Sequence, residues 1–220
     1  MKQKPMLQLA LDDISMVTSF HMAVLAGPYA DVIEIGAALC KSVGAPMVAA
    51  VRELLPDKLI LADFKSADGG EIEAFIAHKH GANFATVLGS APKATIQSSL
   101  DYTLKHEGIE TIMELTGVTN ILEKAVEWRD MGVERITYHL GYDEEKYNRK
   151  WAQSDLDTIG KLIELGYKVT VTGGIKYDLL PFFKDYPISI FICGRSVSQA
   201  DDPIKSIISI QERLEDIWLG

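Results

Sequence analysis

Asp63 and Lys65 stand two residues apart in DFKSAD (63–68), directly after the apolar run Leu59-Ile60-Leu61-Ala62. On a strand, residues i and i+2 share a face, so this acid and this base point the same way. Taking both charges out of water costs solvation that their mutual attraction does not always return. Such a pair calls for a chemical purpose. A lysine kept charged by neighbouring acids suits the stabilisation of negative charge developing on oxygen, and the same acids oppose a Schiff-base role. Glu34, in VIEIG (32–36), would lie near Asp63 if the two runs are adjacent strands. Two carboxylates of this kind suit Mg²⁺, which keeps several waters and takes one or two protein oxygens. No His/Cys grouping competes for zinc. His139, in RITYHLG (135–141), is the candidate for proton transfer because imidazole titrates near neutrality.

These side chains need a frame that brings distant segments together. Eight short apolar or β-branched runs recur: LQLALD (7–12), VIEIG (32–36), LILADFK (59–65), FATVLG (84–89), TIMELTG (111–117), RITYHLG (135–141), KVTVTGG (168–174) and IFICGRS (190–196). Helical patterns fall between them, at 71–80, 94–106, 121–131, 155–165 and 203–218. Asn120 with Glu123, and Ser154 with Asp157, have the spacing of helix starts. Gly81, Gly108, Gly132 and Gly166 stand where a helix gives way to the next strand. This alternation, without a low-complexity linker, is the pattern of parallel βαβ units. The expectation is a single α/β domain over residues 1–220, a (β/α)8 TIM barrel. The competing architecture, an open doubly wound sheet, is weakened by the lack of GxGxxG after the first run.

A barrel gathers its functional groups at the C-terminal ends of its strands. Asp12 ends the first run, Glu34 lies in the second, and Asp63 and Lys65 end the third, with Asp68 in the loop beyond. Glu114 is in the fifth run and His139 in the sixth. Thr172-Gly173-Gly174 ends the seventh, and Gly194-Arg195 the eighth. Glycine turns after the last two strands expose backbone N–H groups, and Arg195 adds a planar cationic fork, so a phosphate group is expected there. Each residue has a plainer explanation: a tight turn, a surface ion pair, a structural salt bridge, a satisfied core histidine. Their joint placement at one end of the strands favours chemistry. The residues alone point to an enzyme acting on a small phosphorylated, oxygen-rich substrate through a lysine- and metal-stabilised enediolate. They leave open decarboxylation, proton abstraction and carbon–carbon addition. A sugar-phosphate sensor would use the same mouth but would leave the Asp63–Lys65 pair without a purpose.

A net charge of −9 argues against nucleic acid or anionic membrane as the main partner. Cys40 and Cys193 are too far apart in sequence for a zinc motif and sit in apolar stretches, as small core residues do. His21, His78, His80 and His106 fall in helical stretches or at their ends and are expected to be solvated. No run approaches a membrane span, and Asp12-Asp13 interrupt the first apolar run too early for a signal peptide. A cytoplasmic protein is the expectation.

Asp63, Lys65 and Asp68 form D-x-K-x-x-D, the hallmark of the orotidine-monophosphate-decarboxylase superfamily, which this chain resembles. Within it, LQLALD, VIEIG, LADFKSADGG, ELTG, TYHLGYD, WAQSD, VTVTGG and FICGRS make nearly the whole chain similar to the 3-keto-L-gulonate-6-phosphate decarboxylases. The resemblance implies loss of CO2 from a β-keto acid sugar phosphate, giving L-xylulose 5-phosphate through a 1,2-enediolate, in L-ascorbate utilisation. By the same resemblance Glu34 and Asp63 are Mg²⁺ ligands and Lys65 stabilises the enediolate. Asp12, Glu114 and Thr172 contact the substrate, His139 positions the water or acid that protonates the enediolate, and Gly174, Gly194 and Arg195 hold the phosphate. Asp68 is implied to reach the neighbouring subunit's site, and hence a homodimer with shared active sites. One departure stands out. These decarboxylases usually carry an arginine three residues after the histidine, where this chain has Tyr142. The related 3-hexulose-6-phosphate synthases, which add formaldehyde to D-ribulose 5-phosphate, often read H-x-G-x-D at this place. Glu114 argues against them, since they usually have aspartate there.

Overall fold

The computed structural model describes residues 3–220. Eight strands close into a barrel in chain order: β1 (Met6–Leu11), β2 (Val32–Ile35), β3 (Leu59–Ser66), β4 (Phe84–Leu88), β5 (Glu110–Glu114), β6 (Arg135–His139), β7 (Lys168–Thr172) and β8 (Ile190–Cys193). All neighbours are parallel, and β8 returns to β1 with Met6 opposite Ile190. The TIM-barrel expectation holds, and every expected run contributes a strand.

The strands read as near-continuous apolar runs because both faces of a parallel sheet are covered. Val32, Leu61, Phe84, Ile112 and Ile190 form one buried cluster, with Met6 and Leu59 against it. They lie in the first half of their strands, or at the midpoint for Ile112, so they form a floor inside the barrel toward its N-terminal end. The alternating neighbours Ile33, Ile60, Ala85, Met113, Val169 and Phe191 belong to the larger cluster shared with the helices. Burying a Leu, Ile or Phe side chain contributes about 1.5–3 kcal/mol, so both clusters stabilise the closed sheet.

The last helix, Pro203–Trp218, agrees with its expected bounds. Asp202 caps it by accepting the Lys205 N–H, and Pro203 occupies its first position. Ile207, Ile210, Leu214 and Trp218 recur on one face and are buried, with Trp218 packed 5.4 Å from Phe191 of β8. Gly81, Gly108, Gly132 and Gly166 all adopt positive φ at the junctions expected of them. Two helix starts differ from expectation. Asn120 precedes Ile121–Asp130 but is itself left-handed, and its side chain makes no capping bond. Ser154 lies inside the helix Gln153–Glu164. That helix starts earlier because the Asp155 carboxylate reaches back to accept the Ala152 N–H at 2.8 Å. None of the helices is long and apolar enough to cross a membrane, among the described residues.

Candidate active site

A mouth of about 1020 Å³ opens at the C-terminal ends of the strands. Asp12, Glu34, Asp63, Lys65, Glu114, His139, Thr172, Gly174, Gly194 and Arg195 all line it, as expected from their strand-end positions. Asp68 does not. It lies exposed on the loop after β3, accepting its neighbour Gly69's N–H.

Lys65 reaches the mouth through a distortion. Ala62 pairs with Ala85, but Ser66 pairs with Val87, so β3 carries two more residues than β4 over the same interval. Lys65 takes φ 49 within this bulge, a conformation costing a non-glycine residue about 1–2 kcal/mol. Thr86 of β4 secures it. Its hydroxyl accepts the Lys65 N–H and donates to Asp63 Oδ1, both at 2.8 Å. The Lys65 ammonium then lies 2.8 Å from Asp63 Oδ2 and also pairs with Glu114 Oε2. Burial disfavours its charge, but Asp63 and Glu114 outweigh burial and hold it above the usual lysine range.

Glu114 is almost wholly buried, at 2% exposure. Oε1 accepts the Thr116 N–H at 3.0 Å and the Thr116 hydroxyl at 2.8 Å, while Oε2 takes Lys65 and His139 Nδ1, the latter at 2.9 Å. Burial alone would raise its pKa. The bond to His139 and the charge of Lys65 prevail and keep it well below the carboxylate range. A carboxylate offers about four acceptor positions, and protein partners take all four. Glu114 therefore anchors Lys65 and His139, and a substrate hydroxyl would have to share or displace one of these bonds.

Glu34 is the opposite case. Burial first, then Asp63 and Asp12, push its carboxyl well above the usual range, and Lys65 and the 2.6 Å bond from Gln8 Nε2 compensate only in part. Crowding by protein and Asp63 likewise raise Asp12. Gln8 Oε1 has no hydrogen-bond partner among the described residues. Glu34 and Asp63 come from paired strands and present hard oxygens to one polar mouth. Two carboxylates are the donor type that a cation such as Mg²⁺ takes alongside its waters, although among the described residues they form no group of three or more metal-binding side chains.

At the far side, β7 and β8 end in Gly173-Gly174 and Gly194-Arg195. Gly173 and Gly174 have φ 106 and 64, and a Cβ on Gly173 would overlap the Leu140 carbonyl. A Cβ on Gly194 would come within 3.0 Å of Asp12 Oδ2. Trp151 donates its indole N–H to the Gly173 carbonyl at 2.8 Å. Arg195 pairs with Glu145, on the short helix Tyr142–Lys146, and lies 4.9 Å over the Tyr142 ring.

Residues 5–210 match the model of the orotidine 5'-phosphate decarboxylase / HUMPS family. The chain belongs to that family. It is 35% identical to the 3-keto-L-gulonate-6-phosphate decarboxylase UlaD of Escherichia fergusonii, over 97% of this chain and 98% of that one. Among solved structures it resembles KGPDC from Streptococcus mutans in complex with D-R5P, with a TM-score of 0.95 and 33% identity over 98% of this chain and all of that one. A 3-hexulose-6-phosphate synthase also matches, with a TM-score of 0.88 and 30% identity over 94% and 99% of the two chains.

Several members of the site escaped sequence reasoning. Gln8 and Thr86 were legible in principle as polar residues inside the apolar runs LQLALD and FATVLG. Thr116 follows Glu114 by two positions, but its capping of that carboxylate depends on the turn. Trp151 belongs to the WAQSD segment, which by itself suggests no role for the indole, and only the fold brings its N–H to Gly173. Glu145 gave no signal beyond a run of surface acids. His78 and His80, expected to be solvated, are half-buried, with Nδ1 bonded to the Tyr102 hydroxyl at 3.1 Å and the Ile76 carbonyl at 2.8 Å respectively. Cys40 and Cys193 are buried as expected, and burial pushes each thiol to about 12.

Proposed function

We propose that this protein decarboxylates 3-keto-L-gulonate 6-phosphate to L-xylulose 5-phosphate and CO2 through a 1,2-enediolate. The observation that carries the reaction class is Lys65, held charged between Asp63 and Glu114 in the polar mouth. The relatives named for this activity support the substrate. Arg195 and the backbone of Gly174 and Gly194 hold the phosphate, while Asp12, Glu114 and Thr172 orient the sugar hydroxyls. The bond from the carboxylate to its neighbouring carbon breaks, CO2 leaves, and the electron pair passes to the ketone oxygen. Lys65 stabilises that oxygen, an effect worth about 10²–10³ in rate for a single well-placed donor. The carbon then takes a proton from a water or acid positioned by His139, whose Nδ1 is fixed by Glu114. Glu34 and Asp63 would hold Mg²⁺, whose charge, when bound, supports the same developing oxyanion.

The working unit in this proposal is a cytoplasmic homodimer. Asp68 lies outside the mouth of its own subunit, and Ile72 and Phe75 are exposed on the helix that follows it, which supports a partner contact there. Subunits disabled at Asp68, mixed with subunits disabled at Lys65, should recover activity in the hybrid. Complete silence would exclude the shared site.

Tyr142 in HLGYD and the match to a hexulose-phosphate synthase favour one second activity, aldol addition of formaldehyde to D-ribulose 5-phosphate. Both reactions pass through the same kind of intermediate. The deciding experiment measures CO2 release from 3-keto-L-gulonate 6-phosphate with Mg²⁺ and with EDTA, beside hexulose-phosphate formation. Fast, EDTA-sensitive CO2 release is expected. Hexulose phosphate without CO2 would overturn the decarboxylase assignment.

A further inference from the structure

Glu145 has no part in the chemistry proposed for the mouth, yet its carboxylate sits at the centre of the phosphate end. It pairs with Arg195. It also lies against Gly174: a Cβ there would be 3.3 Å from Glu145 Oε1 and 3.4 Å from its carboxyl carbon. Two of the three groups expected to receive a phosphate, Arg195 and Gly174, therefore have an anion supplied by the chain itself beside them, paired with the first and filling the space next to the second.

A phosphate dianion and this carboxylate cannot share the space, since like charges at contact in a partly enclosed mouth repel strongly. The Arg195 and Glu145 side chains are 43% and 32% exposed. Ion pairs so accessible to water are weakly held. Phosphate brings more charge and more acceptor oxygens to the same guanidinium. Glu145 also sits on a helix of only five residues, Tyr142–Lys146, none of them buried. Little packing resists its movement.

We propose that Glu145 is a placeholder anion: it holds Arg195 until a phosphorylated substrate arrives, and the substrate's phosphate then displaces it together with helix Tyr142–Lys146. The proposal rests on the phosphate end assigned under the proposed function. Its consequence is selectivity. A neutral sugar has no charge with which to take Arg195 from Glu145, whereas a phosphorylated one does. Displacement also moves Tyr142, whose ring carries Arg195 at 4.9 Å and the Lys146 ammonium at 4.2 Å. Tyr142 stands three residues after His139, so occupancy of the phosphate end is felt beside the proton-transfer residue.

Calorimetric titration of the full chain with inorganic phosphate, at fixed ionic strength, tests this. Glu145→Gln keeps the shape and removes the charge, and it should tighten phosphate binding about three- to ten-fold. Asp143→Asn removes the same charge from the same helix and should change affinity less than about two-fold. Arg195→Ala should abolish binding in either background. Unchanged or weaker binding in Glu145→Gln would overturn the placeholder role, as would an equal gain in Asp143→Asn, which would mark a general charge effect. Phosphate binding indifferent to Arg195→Ala would instead remove the phosphate end itself, and the proposal with it.

Discussion

Three strands pass from oil to charge, and a fourth from oil to a hydroxyl, in a single step. Val32, Leu61, Phe84 and Ile112 belong to the apolar floor. Two residues later on the same strands stand Glu34, Asp63, Thr86 and Glu114, all lining the mouth. Side chains two apart point the same way and lie about 7 Å apart. One backbone lattice therefore supports two environments. The floor gains stability from water exclusion, whereas the mouth holds buried carboxylates whose charges are only partly matched. What separates them is the side chain, not the scaffold. Chemistry is confined to a layer one pleat thick above a floor that stabilises the whole.

The sharpest way to break this contrast is to exchange the costs. Phe84→Ala should lower stability by about 3–5 kcal/mol, seen in urea unfolding, while kcat stays close to that of the parent wherever the variant is folded. Lys65→Ala should do the reverse. Turnover should fall at least about 10²–10³-fold, with a smaller loss of stability from leaving Asp63 and Glu114 unmatched. Near-parental turnover in Lys65→Ala would remove the enediolate role.

Glu34 and Glu114 sharpen the contrast within the mouth. The folded pKa of Glu34 lies above its unfolded value near 4.5, so the folded state binds the proton more tightly. Its contribution to stability is present at low pH and lost as pH rises through the raised value. Glu34→Gln should therefore stabilise the metal-free protein at neutral pH by about 1 kcal/mol, and abolish the rise in Tm that Mg²⁺ is expected to give the parent. Glu114 is depressed, so its contribution is present above about pH 4–5 and lost as pH falls. Destabilisation by Glu114→Gln should be large at pH 7 and shrink toward pH 3. A pH-independent loss would mean that shape, not charge, is what Glu114 supplies.

The smallest expected effect concerns the phosphate end. Trp151→Phe removes one N–H···O=C bond, worth about 1 kcal/mol, so KM should rise about five-fold with little change in kcat. A fall in kcat with KM unchanged would place Trp151 in the chemistry instead of in the support of the Gly173 turn.

The sequence by itself determined the barrel and most of the charged membership of its mouth. Alternating apolar runs specify strands because the pleat repeats every two residues, and polar residues at seven of eight such ends have few places to go but one rim. Asp63, Lys65, Glu34 and His139 were legible for that reason. The tertiary structure alone decided how they meet. No local pattern in DFKSAD announces the bulge that turns Lys65 into the mouth, since it is measured against the register of β4. The opposite pKa shifts of Glu34 and Glu114 arise from neighbours on other strands, so two glutamates alike in sequence become unlike in chemistry. Glu145 is the furthest case: it reads as a surface acid, and only the pairing of β7 with β8, which brings the strand ends carrying Gly174 and Arg195 together, puts an anion where the phosphate is expected. Spacing along the chain records which face a residue takes. Which charge it meets depends on contacts between segments, and those exist only once the barrel has closed.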